Sequence, residues 1–174
     1  MSLPRTPEID ARLASIAACL RQSTARVLAD GARGRPTPTG AAVAWTADGL
    51  LLTNAHVARA PRLVVELPDG TRHVARRVAH DRTHDLAALH VDAPLLPPTL
   101  GAPTTLRPGD LLLALGHPLG IPDALSVGIV HGTSSTPSRQ PGGRTRSELV
   151  RADLRLAPGN SGGPLADAAG RVVG

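Results

Sequence analysis

The sequence predicts an all-β protein: short antiparallel strands rolled into two barrels that pack against each other behind a short N-terminal helix. Three observations carry this prediction. Short apolar runs recur along most of the chain, turn pairs such as Asp48-Gly49 separate them, and one proline-rich stretch splits them into two groups. Runs of that length bounded by glycine, proline and aspartate read as strands, and many of them at close spacing favour sheets that close on themselves.

Taken in order, Thr6-Pro7-Glu8 supplies an N-cap, a proline at the first helical position and a first-turn acid. Ile9, Leu13, Ile16, Ala17 and Leu20 then fall on one helical face, so residues 1–21 form an extension whose helix packs on the domain. Residues 23–28 are the first strand, and 30–39, rich in glycine, arginine, proline and threonine, form a mobile loop. Residues 41–46 and 50–53 flank Asp48-Gly49, whose tolerance of positive φ suits a hairpin turn. Further strands are expected at 63–67, 74–79, 86–91, 111–115, 126–130, 149–154 and 163–173. Pro94, Pro97, Pro98, Pro103 and Pro108 mark the boundary, giving one β unit at 22–98 and a second at 99–174. Each is near the lower size limit for an independent domain, so the two pack together and leave a cleft.

Composition narrows the function. At 174 residues, 41% hydrophobic and 19% charged, the chain can bury a sizeable core and is not a disordered segment. With one Trp and no Tyr or Phe, that core must be built from Leu, Val, Ile and Ala. The single Cys19 closes no internal disulfide. No apolar run approaches the roughly 18 residues of a membrane span, and Glu8 and Asp10 interrupt the place of a signal-peptide core. No integral membrane segment is therefore expected, and the compartment stays undetermined. The net charge of +5 comes from scattered arginines, among them Arg33, Arg59, Arg76 and Arg144, with almost no aromatics for base stacking. Nucleic acid is not an expected partner.

The chemistry concentrates in Gly159-Asn160-Ser161-Gly162-Gly163-Pro164. A serine among glycines can present its Oγ on a tight bend while neighbouring amides converge on one acceptor. Those properties suit an acyl-transfer nucleophile, which needs a base, and histidine is the usual one. His56, in Thr53-Asn54-Ala55-His56-Val57, follows a buried hairpin strand that can hold an imidazole still. Asp85 opens the apolar run Asp85-Leu86-Ala87-Ala88-Leu89, where its charge needs hydrogen bonds, and it can orient the imidazole. The chain order His56, Asp85, Ser161 is that of chymotrypsin and differs from that of α/β-hydrolases and subtilisins.

Several spaced blocks carry a family resemblance. Gly40-Ala41-Ala42-Val43 leading to Thr53-Asn54-Ala55-His56-Val57 resembles the first catalytic block of HtrA (Deg) trypsin-like serine proteases. Asp81 with Asp85-Leu86-Ala87, Leu106-Arg107-Pro108-Gly109-Asp110, Leu115-Gly116-His117-Pro118-Leu119-Gly120, Val127-Gly128-Ile129-Val130 and Pro158-Gly159-Asn160-Ser161-Gly162-Gly163-Pro164-Leu165 follow in the family's order. The resemblance implies a chymotrypsin-type double barrel with His56 and Asp85 from the first barrel and Ser161 from the second. It implies an oxyanion hole over Gly159, Asn160 and Ser161, a cofactor-free serine endopeptidase, and exposed or unfolded protein segments as substrates. Leu156 stands where the family lines the S1 pocket, and Arg155 beside it would favour an acidic P1 residue if it entered. Because the family continues with further strands, the resemblance also implies a second barrel left incomplete, with an unpaired edge near Val172 and Val173. The family often forms homo-oligomers, and nothing in this N-terminal region decides the assembly. The alternative function is a catalytically silent, peptide-binding module of the same fold.

Other residues have plainer readings. His80 and His84, four apart beside Asp81 and Asp85, have zinc-like spacing but lie between strands without an HExxH glutamate, so no metal site is expected. His117 reads as a surface-loop residue, Trp45 as part of the first barrel's packing, and Cys19 as inert on the helix.

Overall fold

The computed structural model describes residues 7–30, 36–140 and 143–174. The N-cap expected at Thr6 and residues 31–35 of the expected loop lie outside them. Helix α1 spans Pro7–Gln22. Its C-terminus is closed by hydroxyls, since Ser23 Oγ and Thr24 Oγ1 both donate to the Leu20 carbonyl, at 3.1 and 2.8 Å. The Ser23 N–H donates to the same carbonyl at 3.1 Å, so backbone and hydroxyls together close the last turn.

Strands β1 (Thr24–Asp30), β2 (Pro36–Ala44), β3 (Leu50–Thr53), β4 (Leu63–Glu66), β5 (Arg72–Asp81) and β6 (Leu86–His90) follow. They close into an antiparallel barrel of order β1-β2-β3-β6-β5-β4. Burial alternates along β3 and β4, as a strand with one face inward requires. The interior is aliphatic, with Val27, Leu51, Leu63, Val65, Leu89 and Val91 nearly or fully sealed from water. The expected ring-free core is what the barrel contains.

The second unit comprises β7 (Leu111–Gly116), β8 (Ala124–Gln140), β9 (Gly143–Asp153) and β10 (Leu165–Asp167), in a sheet of order β10-β7-β8-β9. Among the described residues this sheet does not close. Its order repeats β4-β1-β2-β3 of the first barrel, where β5 and β6 complete the ring. Strand β7 is covered on both faces. Leu113 and Leu115 meet Ile16 and Leu20 of α1, while Leu112 meets Leu106, Val130 and Val173. That double covering accounts for the unbroken apolar run Leu111-Leu112-Leu113-Ala114-Leu115, where a half-exposed strand would alternate. Shortening the fully buried Leu20 to alanine is expected to cost about 2–5 kcal/mol, read from chemical denaturation.

Five expectations need correction. The strand expected at 163–173 is only Leu165–Asp167, because the Gly170 N–H donates to the Asp167 carbonyl at 2.9 Å and turns the chain there. Strands β8 and β9 run far past 126–130 and 149–154, because beyond Ile129 β8 pairs with β9 and no longer with β7. Residues 36–39 belong to β2, pairing with β1, and are not loop. The edge at Val172 and Val173 is paired: the Val172 N–H donates to the Thr99 carbonyl at 2.8 Å, and the Gly101 N–H returns a bond to Val172 at 2.7 Å. The Val173 N–H donates to Leu165 at 2.8 Å, so both valines are buried. Trp45 lies 44% exposed at the end of β2, facing an apolar hollow of about 450 Å³ shared with Leu86, Leu100 and Val172. The barrel interior is already filled by smaller aliphatic side chains.

Candidate active site

The turn after β3 carries His56. Val57 and Ala58 N–H groups both donate to the Asn54 carbonyl, at 3.1 and 3.3 Å, closing one helical turn. Ala55, Val57 and Ala58 are buried, so the imidazole is held outward by neighbours that point inward. Asp85 ends the turn between β5 and β6 with φ at 53°, a left-handed conformation that aspartate tolerates and that hydrogen-bond partners hold here. Those partners converge on its carbonyl: the Ala55 N–H and the Asn54 side-chain amide both donate to it at 3.0 Å.

Both carboxylate oxygens of Asp85 face His56. Oδ1 accepts the His56 N–H at 2.9 Å, and Oδ2 lies 2.6 Å from Nδ1. An ionised carboxylate only accepts, so Nδ1 carries the proton and Nε2 keeps its lone pair. The His56 backbone N–H, then its side chain, hold the Asp85 carboxyl below the usual aspartate range. A folded-state value lowered in this way contributes stability that is in place above the unfolded value and lost as pH falls through the folded one. Followed by carbon NMR, the Asp85 carboxyl should titrate below the ordinary range of about 3.9, and His56→Ala should return it only part-way, because the backbone donor survives. A full return would show that the side chain alone sets it.

Ser161 sits on a bend fixed from both sides. Its carbonyl accepts the Ala41 N–H of β2 at 2.8 Å, a main-chain bond between the two units. The adjoining Gly162 has φ at 82°, and a Cβ there would meet the Ala41 carbonyl at 2.1 Å, so only glycine fits. On the other side, His117 and Leu119 N–H groups donate to Gly159 and Pro158 carbonyls, each at 3.0 Å. Between these anchors the Asn160 N–H is committed to the Ala157 carbonyl at 3.0 Å. Among the described residues, the Gly159 and Ser161 N–H groups have no such backbone partner and are free to meet an oxyanion.

His56, Ser161, Asn160 and Leu156 line one cleft of about 640 Å³ where the units meet. Ser161 and His56 make no direct hydrogen bond across it. The Asp85 side chain is 47% exposed, more open than a sealed triad carboxylate. Leu156 also borders a smaller apolar hollow with Val150, Ala152 and Leu154. Arg155 is exposed and outside the cleft lining, and its carbonyl accepts a bond from Ser126 Oγ at 3.0 Å. The structure thus gathers His56, Asp85, Ser161, Gly159, Asn160 and Leu156, and leaves Arg155 in solvent.

The trypsin-like peptidase domain family matches residues 39–174. The chain belongs to that family. This peptidase domain is 36% identical over 143 residues to Protease Do-like 1, chloroplastic, of Arabidopsis thaliana, covering 80% of the chain and 33% of the relative. It is 36% identical over 140 residues to serine protease HTRA1B of Danio rerio, covering 78% and 29%. The solved HtrA-type protease AlgW with tripeptide superposes with a TM-score of 0.78 at 35% identity, over 92% of this chain and 52% of that one. The HtrA/Deg resemblance read from the blocks is therefore correct. The peptidase domain spans about a third of the length of the curated relatives it matches.

Two of the peptidase domain's side chains gained roles that sequence reading did not give them. Asn54 holds the Asp85 carbonyl, and His80 Nε2 donates to the Ala55 carbonyl at 3.1 Å, steadying the peptide before His56. Both act on backbone carbonyls distant in sequence, and a backbone acceptor leaves no residue type to recognise. His117 is a correction: it is 5% exposed, enclosed where the segment after β7 folds beneath the Gly159 bend.

Proposed function

We propose that this domain is a serine endopeptidase acting on exposed or unfolded protein segments. Ser161 Oγ attacks the peptide carbonyl carbon while His56 Nε2 takes its proton, and the Gly159 and Ser161 N–H groups receive the developing oxyanion. Collapse of the intermediate breaks the C–N bond as His56 returns the proton to the leaving amine. Water, deprotonated by the same imidazole, then releases the acyl group from Ser161. Asp85 keeps the base in the tautomer this sequence needs and stabilises its imidazolium form.

One observation supports the reading above the rest: Asp85 pairs with Nδ1 of His56 and leaves Nε2 for the cleft that His56 and Ser161 both line, beside the uncommitted N–H groups of Gly159 and Ser161. The kinship with HtrA-type proteases supports it. Leu156 and the aliphatic hollow beyond it support a small or medium apolar P1 residue, whereas the solvated Arg155 gives no reason to expect an acidic one.

A fluorophosphonate probe followed by mass spectrometry tests the proposal. The expected result is a single adduct on Ser161, absent in His56→Ala. A folded chain that takes no label would point instead to a peptide-binding module.

A further inference from the structure

We propose that His117 is a positioning residue for the oxyanion loop: its neutral imidazole holds the 117–123 turn on which residues 157–161 rest. The inference rests on reading 157–161 as that loop, and its test separates the two.

The ring is enclosed and oriented. Its Nδ1 accepts the Asp123 N–H at 3.2 Å, which places the proton of the neutral ring on Nε2. Nε2 is sealed from solvent with no hydrogen-bond partner; the nearby Ala25 backbone of β1 favours the charged ring without completing a bond. The turn itself is under tension, with Leu119 at φ 54° and Asp123 at φ 56°, both left-handed without being glycine.

Charged groups face the ring from each neighbouring element. Asp123 lies on its own turn, with Oδ1 4.0 Å from Nδ1 and Oδ2 held at 2.8 Å by Arg21 of α1. Arg26 of β1 opposes a charged ring, while Glu66 of β4, paired to Arg26 at 2.8 Å, favours one. Burial outweighs the favourable partners and pushes the imidazole below the ordinary histidine range, so it is neutral at pH 7.

Protonation would exchange one partner for another. A proton on Nδ1 removes the acceptor of the Asp123 N–H, and the nearest group able to take the new N–H is the Asp123 carboxylate. Moving toward it requires the strained Asp123 to turn and its ion pair with Arg21 to adjust. The displacement reaches the oxyanion loop directly, because the His117 and Leu119 N–H groups donate to Gly159 and Pro158. There is no slack at that contact: a Cβ at Gly159 would lie 2.3 Å from the His117 carbonyl.

The test is nitrogen NMR across pH on the full chain carrying His56→Ala, which removes the other imidazole at the cleft. The Gly159 and Ser161 amides should shift with the same midpoint as the His117 ring, below about 6.5. In His56→Ala with His117→Asn, whose amide oxygen can still accept the Asp123 N–H, those acid shifts should vanish while the neutral-pH positions stay. Amides that stay still while the ring titrates, that move alike in both proteins, or a ring neutral until the chain unfolds, would each overturn the proposal. With His56 restored, fluorophosphonate labelling should fall more steeply in acid in the parent than in His117→Asn. Absence of labelling at every pH would count against the protease reading alone and leave the NMR result to decide this one.

Discussion

Replacing Ser161 with alanine should reduce hydrolysis of a fluorogenic peptide by about 10⁶-fold in kcat, with KM little changed. His56→Ala should cost about as much, and the double variant no more than either single one, because nucleophile and base act as one unit. Asp85→Asn should cost about 10⁴-fold, since an amide at that position can stabilise the wrong imidazole tautomer. Here the carboxylate is doubly engaged, by the His56 backbone N–H and by Nδ1, so the asparagine variant should keep the turn while losing the orientation. A Ser161→Ala protein that retained parental turnover would remove this serine from the chemistry.

Gly162→Ala should be a strongly damaging addition of a single methyl where the two units meet. Alanine at φ 82° costs about 1–2 kcal/mol for left-handed backbone, and its Cβ would press on the Ala41 carbonyl at 2.1 Å and on Thr53 Oγ1 at 2.3 Å. Thr53 Oγ1 already donates to that carbonyl at 2.6 Å, so relaxing the clash means parting an existing bond. With overpacking of such a contact adding about 1–3 kcal/mol, the expected loss is about 2–5 kcal/mol. Gly70→Ala is the matched control, with φ at 84° and open space around its Cβ, and should lose only the backbone share of about 1–2 kcal/mol. Denaturant midpoints at constant m-value would read both. Equal losses would show that the contact between the units carries no strain.

Much of this molecule was legible in its sequence, for reasons specific to particular segments. Ile16 and Leu20 repeat at helical spacing because they dock on one surface, and Gly49 announces its hairpin because its φ of 108° is a backbone few other residues accept. The proposed triad of His56, Asp85 and Ser161 was readable because the role assigned to it belongs to side chains that little can replace. The extent of β8 and β9 was not, since past Val130, among the described residues, β8 pairs with β9 and no longer with β7, and the two-strand ribbon is specified by that pairing rather than by an apolar pattern. His117 was misread because a histidine followed by Pro118 and Gly120 has the composition of a surface turn, and only the closure of α1, β1 and β4 around it makes it interior. The pairing of Val172 escaped notice because its partners, Thr99 and Gly101, come from a proline-rich stretch that does not look like a strand.

The bond from the Ala41 N–H to the Ser161 carbonyl has a wider consequence. It is made of main chain at both ends, so no replacement other than proline at 41 removes either group, and the cleft cannot gape without breaking it. Deuterium uptake at that one amide should therefore keep time with the breathing of the whole interface, a clock that needs neither substrate nor probe.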